Sequence, residues 1–123
     1  MMYVNNELKH SRRTDLEDSD LEIIWQTICC FKSKRSPLFC GIYRPSKEQD
    51  DLVEKNMELA YLLNCETITT GDLNIDYLKQ ASCNKHPLRR AVSSINFKQL
   101  VTMVTRPRSG TCLEHVYTNF QIV

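Results

Sequence analysis

Apolar residues recur along this chain with two different periods, and each change of period marks an element. Over residues 21–31 β-branched and aromatic side chains dominate, with Trp25 and Ile28 as anchors, which predicts a strand. A second β-rich run covers residues 38–43, and the basic turn at residues 33–37 between them makes the pair read as a hairpin. Pro45 ends that hairpin, because it has no N–H to give to a ladder. From Ser46 the period lengthens. Leu52, Val53, Met57, Ala60 and Leu63 form an apolar stripe roughly four turns long, predicting a helix to about residue 63. Ser46 and Gln49 fit a capping box at its start, with Asp50 as an alternative cap. Residues 66–70 read as a strand. Pro87 suits the first turn of a second helix, in which Leu88, Ala91, Val92 and Ile95 share one face and Arg89 and Arg90 turn outward. Residues 98–104 and 111–120 are the last strand candidates.

Interleaved strands and helices indicate a layered α/β domain. Both helices are expected on one face of a sheet holding strands near residues 21–31, 38–43, 66–72 and 111–119. Residues 5–20 are dense in charge and read as a loop or an exposed edge hairpin. There is no internal repeat, no low-complexity tract and no domain boundary, so residues 1–123 read as a single domain.

Composition narrows the function classes. The 123 residues are enough for one core, and 41% hydrophobic with 25% charged residues is ordinary for a globular chain. A formal charge of +1 gives no general pull towards nucleic acid, so binding would have to come from local patches. Three basic clusters exist: Lys32, Lys34 and Arg35; Arg89 and Arg90; Arg106 and Arg108. Each reads first as a solvated loop or helix face. Six cysteines raise the question of disulfides, but Cys29 and Cys30 are adjacent in an apolar run, as suits buried thiols on opposite sides of a strand. Cys40, Cys65, Cys83 and Cys112 form no C-x-x-C pair, and the three histidines have no spacing for zinc. The polar start lacks the apolar stretch of a signal peptide, and no run has the length to cross a membrane. An intracellular setting, nuclear or cytoplasmic, with reduced thiols is expected.

Chemistry concentrates in Thr69-Thr70-Gly71-Asp72-Leu73-Asn74-Ile75-Asp76. If extended geometry persists through Asn74, alternation points Asp72 and Asn74 to the same side. Gly71 permits a tight bend or the close approach of a ligand. A carboxylate there can move a proton while the amide orients the reacting group. The same residue types also build polar turns for conformational reasons alone. Both readings stand on this segment.

The order of the neighbouring segments favours the first. Gly41-Ile42-Tyr43-Arg44-Pro45 lies upstream; Gln99-Leu100-Val101, Thr105-Arg106 and Cys112-Leu113-Glu114-His115-Val116-Tyr117-Thr118-Asn119 lie downstream. This succession resembles the endonuclease/exonuclease/phosphatase superfamily, the DNase I-like fold, and more narrowly the endonuclease domain of non-LTR (LINE-type) retrotransposon reverse transcriptases. Those domains carry a Tyr-Arg-Pro, a Gly-Asp-Phe-Asn and an Ile-Asp-His-Ile-x-x-Asn segment in that order, and the likeness covers about residues 21–119.

The resemblance implies a partial DNase I-like layered α/β sandwich, with mixed β-sheets flanked by helices. It implies a parent enzyme that hydrolyses DNA phosphodiester bonds with Mg²⁺ and an activated water. Asp72 would be the general acid/base, and Asn74 would orient the phosphate or the water. Tyr43 matches a tyrosine that contacts the scissile phosphate, where its hydroxyl meets developing negative charge. Glu114 aligns with an aspartate that orients the catalytic histidine; its extra methylene displaces that bond. Asn119 matches a family asparagine that capping or turn formation explains equally well, and Asp76 reads as a turn residue. The family's metal-binding Glu falls upstream of the matching region, and its Ser-Asp-His motif falls downstream. No metal ligand is therefore assigned, and His115 belongs to the earlier motif rather than being the catalytic histidine. The expectation is an internal portion of a nuclease domain with little activity of its own. The alternative is a non-catalytic remnant that acts as an interaction module or has no function. Tyr43, Asp72, Asn74 and Glu114 are expected at one end of the sheet, lining one cleft.

Overall fold

A computed structural model of the chain describes residues 2–29, 36–79 and 86–120. Six strands form one mixed sheet: β1 (His10–Arg12), β2 (Glu22–Ile28), β3 (Leu38–Tyr43), β4 (Thr67–Asp72), β5 (Lys98–Gln99) and β6 (Glu114–Thr118), in spatial order β1-β2-β3-β4-β6-β5. The central pair, β3 and β4, is parallel; the other neighbours are antiparallel. Parallel strands need a crossover, and helix α1 (Asp50–Leu62) supplies it. Helix α2 (Pro87–Ser94) follows β4 and packs beside α1.

Alternation along the strands assigns the two sheet faces. Trp25, Cys40, Thr69 and Tyr117 are paired across β2, β3, β4 and β6, so they share one face, and all four are buried. Val53, Met57 and Ala60 of α1 and Val92 of α2 close over that face in a single core. The helices therefore cover one side of the sheet, as the interleaved periods predict. Trp25 donates its Nε1–H to Asn56 Oδ1 at 2.6 Å, and Asn56 donates to the Leu16 carbonyl at 2.7 Å, which carries the N-terminal segment onto α1. On the opposite face Ile24, Phe39, Ile68 and Val116 are half-buried.

Several expectations need correction. The capping box does not form: neither Ser46 nor Gln49 makes a side-chain cap. Gln49 donates instead to the Asp20 carbonyl, and the Asp50 carboxylate pairs with Arg44. Helix α1 ends where Leu63 donates to Leu59, and Asn64 takes the left-handed conformation at φ 52°, which asparagine tolerates. The strand predicted over residues 98–104 holds only for Lys98–Gln99. There Leu100 N–H still donates to the Val116 carbonyl at 2.8 Å, but the Gln99 side-chain oxygen accepts from Val116 N at 2.7 Å and from Val101 N, so it replaces the return bond of the ladder. Arg89 is not turned outward; its guanidinium stacks 4.7 Å from the Tyr77 ring centre and 5.7 Å from that of Tyr117. The charged N-terminal segment does contribute an edge strand, β1 on β2. Cys30, the cluster Lys32, Lys34 and Arg35, and Cys83 lie outside the described residues. Cys29, Cys40 and Cys65 are free thiols, Cys112 is buried, and burial pushes the Cys40 thiol well above the usual cysteine range.

Candidate functional site

The strand register assembles the candidate residues. Tyr43 pairs with Asp72 across the parallel β3–β4 ladder, and Asp72 pairs with Glu114 across the antiparallel β4–β6 ladder. Glu22 of β2 stands opposite Tyr43, so Glu22, Tyr43, Asp72 and Glu114 form one row across four strands. Paired positions share a face, which here is the face away from the helices. Three of the four expected residues thus gather at one end of the sheet. A groove of about 520 Å³ on that face takes in Tyr43 and Glu22 but not Asp72, Asn74 or Glu114.

Asn74 arrives by another route. Strand β4 stops at Asp72, and Asn74 has φ 53°, so extended geometry does not persist and simple alternation does not apply. Instead the Asn74 backbone N–H donates to Asp72 Oδ1 at 2.9 Å, an Asx turn that joins the two residues directly. The Asn74 amide then donates to the Arg44 carbonyl at 2.8 Å. Gly71 is required just before this turn, because a Cβ there would stand 1.7 Å from the Ile42 carbonyl oxygen.

Two arginines hold the end of β4, one on each face. Arg44 follows Tyr43, turns to the helix side and is 4% exposed. Its Nε donates to Asp50 Oδ1 at 2.5 Å, its Nη1 to the Leu73 carbonyl at 2.9 Å, and its backbone N–H to the Asp72 carbonyl at 2.9 Å. His86 lies 3.4 Å from Arg44 Nη2, and burial followed by the nearby Arg44 charge lowers its pKa. Arg106 lies on the open face with 47% of its side chain exposed. It comes from a short hairpin closed by an Arg106–Thr111 bridge. Its Nη2 donates to Asp72 Oδ2 at 2.7 Å and its Nε to Glu114 Oε1 at 2.6 Å. The Thr105 hydroxyl donates to Glu114 Oε2. That hydrogen bond, and then Arg106, hold the Glu114 carboxyl below the usual glutamate range, while Glu114 in turn raises Arg106.

Neither arginine emerged from the sequence in this role. Thr105-Arg106 entered the ordered segments, but Arg106 with Arg108 reads as a solvated patch until the register brings Asp72 and Glu114 together. Their different burial and their different carboxylate partners are the missing signal, and both exist only in three dimensions.

The other motif residues are structural. His115 is 1% exposed; its Nε2 faces the Ile75 carbonyl at 2.8 Å, so the proton belongs there, and Nδ1 accepts from the Tyr117 hydroxyl at 2.8 Å. Burial lowers the His115 pKa and keeps the ring neutral. Asp76 accepts from the backbone N–H of Leu78 and of Cys112, stapling two loops. Asn119 ties the opposite end of the sheet, accepting from Thr67 N and donating to the Cys65 carbonyl, both at 2.8 Å.

The fold has counterparts among solved structures. The endonuclease domain of TRAS1, a telomere-specific non-LTR retrotransposon, superposes with a TM-score of 0.75 at 11% identity, covering 92% of this chain and 54% of that domain. The fold is that of the DNase I-like endonuclease/exonuclease/phosphatase proteins. An endonuclease/exonuclease/phosphatase family protein of Bacteroides thetaiotaomicron aligns at TM-score 0.51 and 22% identity over 78% of this chain and 40% of its own. A mannosyl-6-phosphatase from the same organism gives 0.52 at 20% identity, again over 78% of this chain and 42% of its own. The chain thus spans about half the length, or less, of these DNase I-like neighbours. No family model matches the sequence, and no curated protein matches it.

Mg²⁺ is held by one or two carboxylates together with waters and substrate phosphates. The residues in the row do not fit that ion as arranged. Both carboxylates are spent on Arg106, and among the described residues no group of three His, Cys, Asp or Glu side chains gathers for a metal. No helix among them is long and apolar enough to cross a membrane.

Proposed function

We propose that this chain is part of a DNA-acting phosphodiesterase domain of the nuclease type, and that in its present form it binds nucleic acid without cutting it. The observation that carries this reading is the row Tyr43–Asp72–Glu114, built from three segments far apart in sequence and set at one end of a DNase I-like sheet. Asp72 is the general acid/base of the proposed site, with its carboxylate oriented by the Asn74 N–H. Asn74 sits beside it to orient a phosphate oxygen or a water. Tyr43, 39% exposed, presents its hydroxyl to a phosphate oxygen on which negative charge develops. Glu114 acts as the orienting carboxylate at the far end of the row.

Among the described residues no three His, Cys, Asp or Glu side chains gather to hold a metal, and Asp72 and Glu114 share Arg106. This favours the second reading, a binding module without catalysis, for the chain as it stands. A plasmid-nicking assay with Mg²⁺ beside a duplex-binding measurement tests both halves. The chain is expected to bind duplex DNA and to nick supercoiled plasmid no faster than an Asp72→Ala control. Failure to bind duplex DNA sinks the nucleic-acid reading; strong cleavage abolished by Asp72→Ala sinks the non-catalytic one.

A further inference from the structure

The carboxylate row is already occupied by a cation of the chain's own. All four oxygens of Asp72 and Glu114 have donors: Asn74 N and Arg106 Nη2 on the first, Arg106 Nε and the Thr105 hydroxyl on the second. A phosphate group brought to this row would face two negative charges directly opposed across a ladder. It needs a cation, and Arg106 is the one in contact with both carboxylates.

From these contacts we infer that Arg106 is the residue that admits a phosphate group to this site, exchanging its bond to Asp72 for one to a phosphate oxygen. The inference rests on reading the row as a phosphodiester site. Three features support it. The Arg106 backbone is fixed in its hairpin by the bridge to Thr111 and by Gly110 N–H donating to its carbonyl at 2.9 Å, while its side chain is half in solvent. The base of the side chain is therefore anchored and its head is accessible to a ligand. The two ion-pair bonds go to two different carboxylates, one donor each, so the guanidinium does not make the paired fork contact that it forms best. A phosphate presents two oxygens in the geometry of that fork. Finally, the exchange releases Asp72 Oδ2 from its ion pair, so arrival of the phosphate and release of that carboxylate become one event. Arg106 acts here on substrate binding and on Asp72, not on the reacting atoms.

Binding of three probes tests this: a duplex DNA oligonucleotide, inorganic phosphate and mannose 6-phosphate. Arg106→Gln should weaken binding of the oligonucleotide by about tenfold or more, and Arg106→Lys, which keeps charge but loses the fork, by less. Asp72→Asn should tighten binding by releasing Arg106. That gain should vanish in the Asp72→Asn/Arg106→Gln double variant, whereas simple removal of a repelling charge would give the same gain in both backgrounds. In the unsubstituted, isotope-labelled chain, the Arg106 Nη2–H resonance should shift as inorganic phosphate is added, which reads the exchange even where a variant folds poorly. An affinity indifferent to Arg106→Gln, a gain that survives in the double variant, or an unmoved resonance at saturating phosphate overturns the exchange. Duplex DNA binding that ignores Arg106 overturns this inference and leaves the nuclease reading standing. Binding of phosphate or mannose 6-phosphate through Arg106 with no binding of DNA does the reverse.

Discussion

Arg44 and Arg106 grip the same strand end from opposite faces, and they differ in nearly everything except charge. Arg44 is 4% exposed, paired with Asp50 and bonded to the Leu73 carbonyl beneath the helices. Arg106 is 47% exposed and holds Asp72 and Glu114 through side-chain contacts alone. A buried pair resists loss of one partner, because the other charge is then stranded out of water. An exposed pair yields to water or to a better anion. The helix side of the site is therefore built as a frame, and the open side as an exchangeable contact.

The sharpest way to break this contrast is Arg44→Ala. Unpairing Asp50, whose side chain is 18% exposed and 3.9 Å from His86, and orphaning the Leu73 carbonyl should cost about 2–3 kcal/mol in urea unfolding. A loss under about 1 kcal/mol would place Arg44 with ordinary surface charges. Next comes Gly71→Ala, which drives a methyl into the Ile42 carbonyl between the two arginines. The β3–β4 register must shift to admit it, and about 1–3 kcal/mol should be lost. Wild-type stability in that variant would mean that β4 moves freely at Asp72.

Titration separates the two sides without changing a residue. His115 and His86 on the helix side have lowered pKa values, so the folded chain resists protons that the unfolded chain takes up below about 6.5, the ordinary histidine value. Stability is full above that pH and falls as pH drops from 7 towards 5. On the open side Glu114 is lowered, so its contribution is present above its ordinary value of 4.5 and is lost only as pH falls below it. Urea unfolding at successive pH values should show the first limb, and His115→Gln should flatten it; an unchanged slope would show that the ring is not held neutral. The smallest effect belongs to Arg106→Gln, whose unfolding midpoint should match wild type within error while its phosphate affinity falls. A large drop in that midpoint would make Arg106 part of the frame.

Much of the fold was legible because it rests on period. The stripe Leu52, Val53, Met57, Ala60 predicts α1, and β-rich runs predict β2 and β3. The ends of elements were less legible, since they are set by tertiary partners: Asp50 leaves its capping role for Arg44, and the Gln99 side chain replaces a ladder bond and ends β5 after two residues. Tyr43, Asp72 and Glu114 could be named from ordered segments, but their alignment in one row depends on register between strands. Asn74 needed a left-handed backbone that no alternation rule contains. Arg44 and Arg106 look alike as letters; only burial distinguishes a frame from an exchangeable contact.

The parallel pairing of β3 with β4 also has a kinetic consequence. Hairpin β2–β3 closes locally, but β4 joins only after α1 has been spanned, and β6 joins after a longer excursion still; the Arg106–Asp72 contact links residues 34 apart. Closing such loops is entropically slow, so the row of candidate residues is among the last parts of the molecule to exist during folding. Until β6 docks, the Thr67–Asp72 strand is an open edge with unpaired backbone donors and acceptors. A chain caught at that stage offers Ile68 and its neighbours to any other extended peptide, and the same strand end that later receives the site first has to escape aggregation.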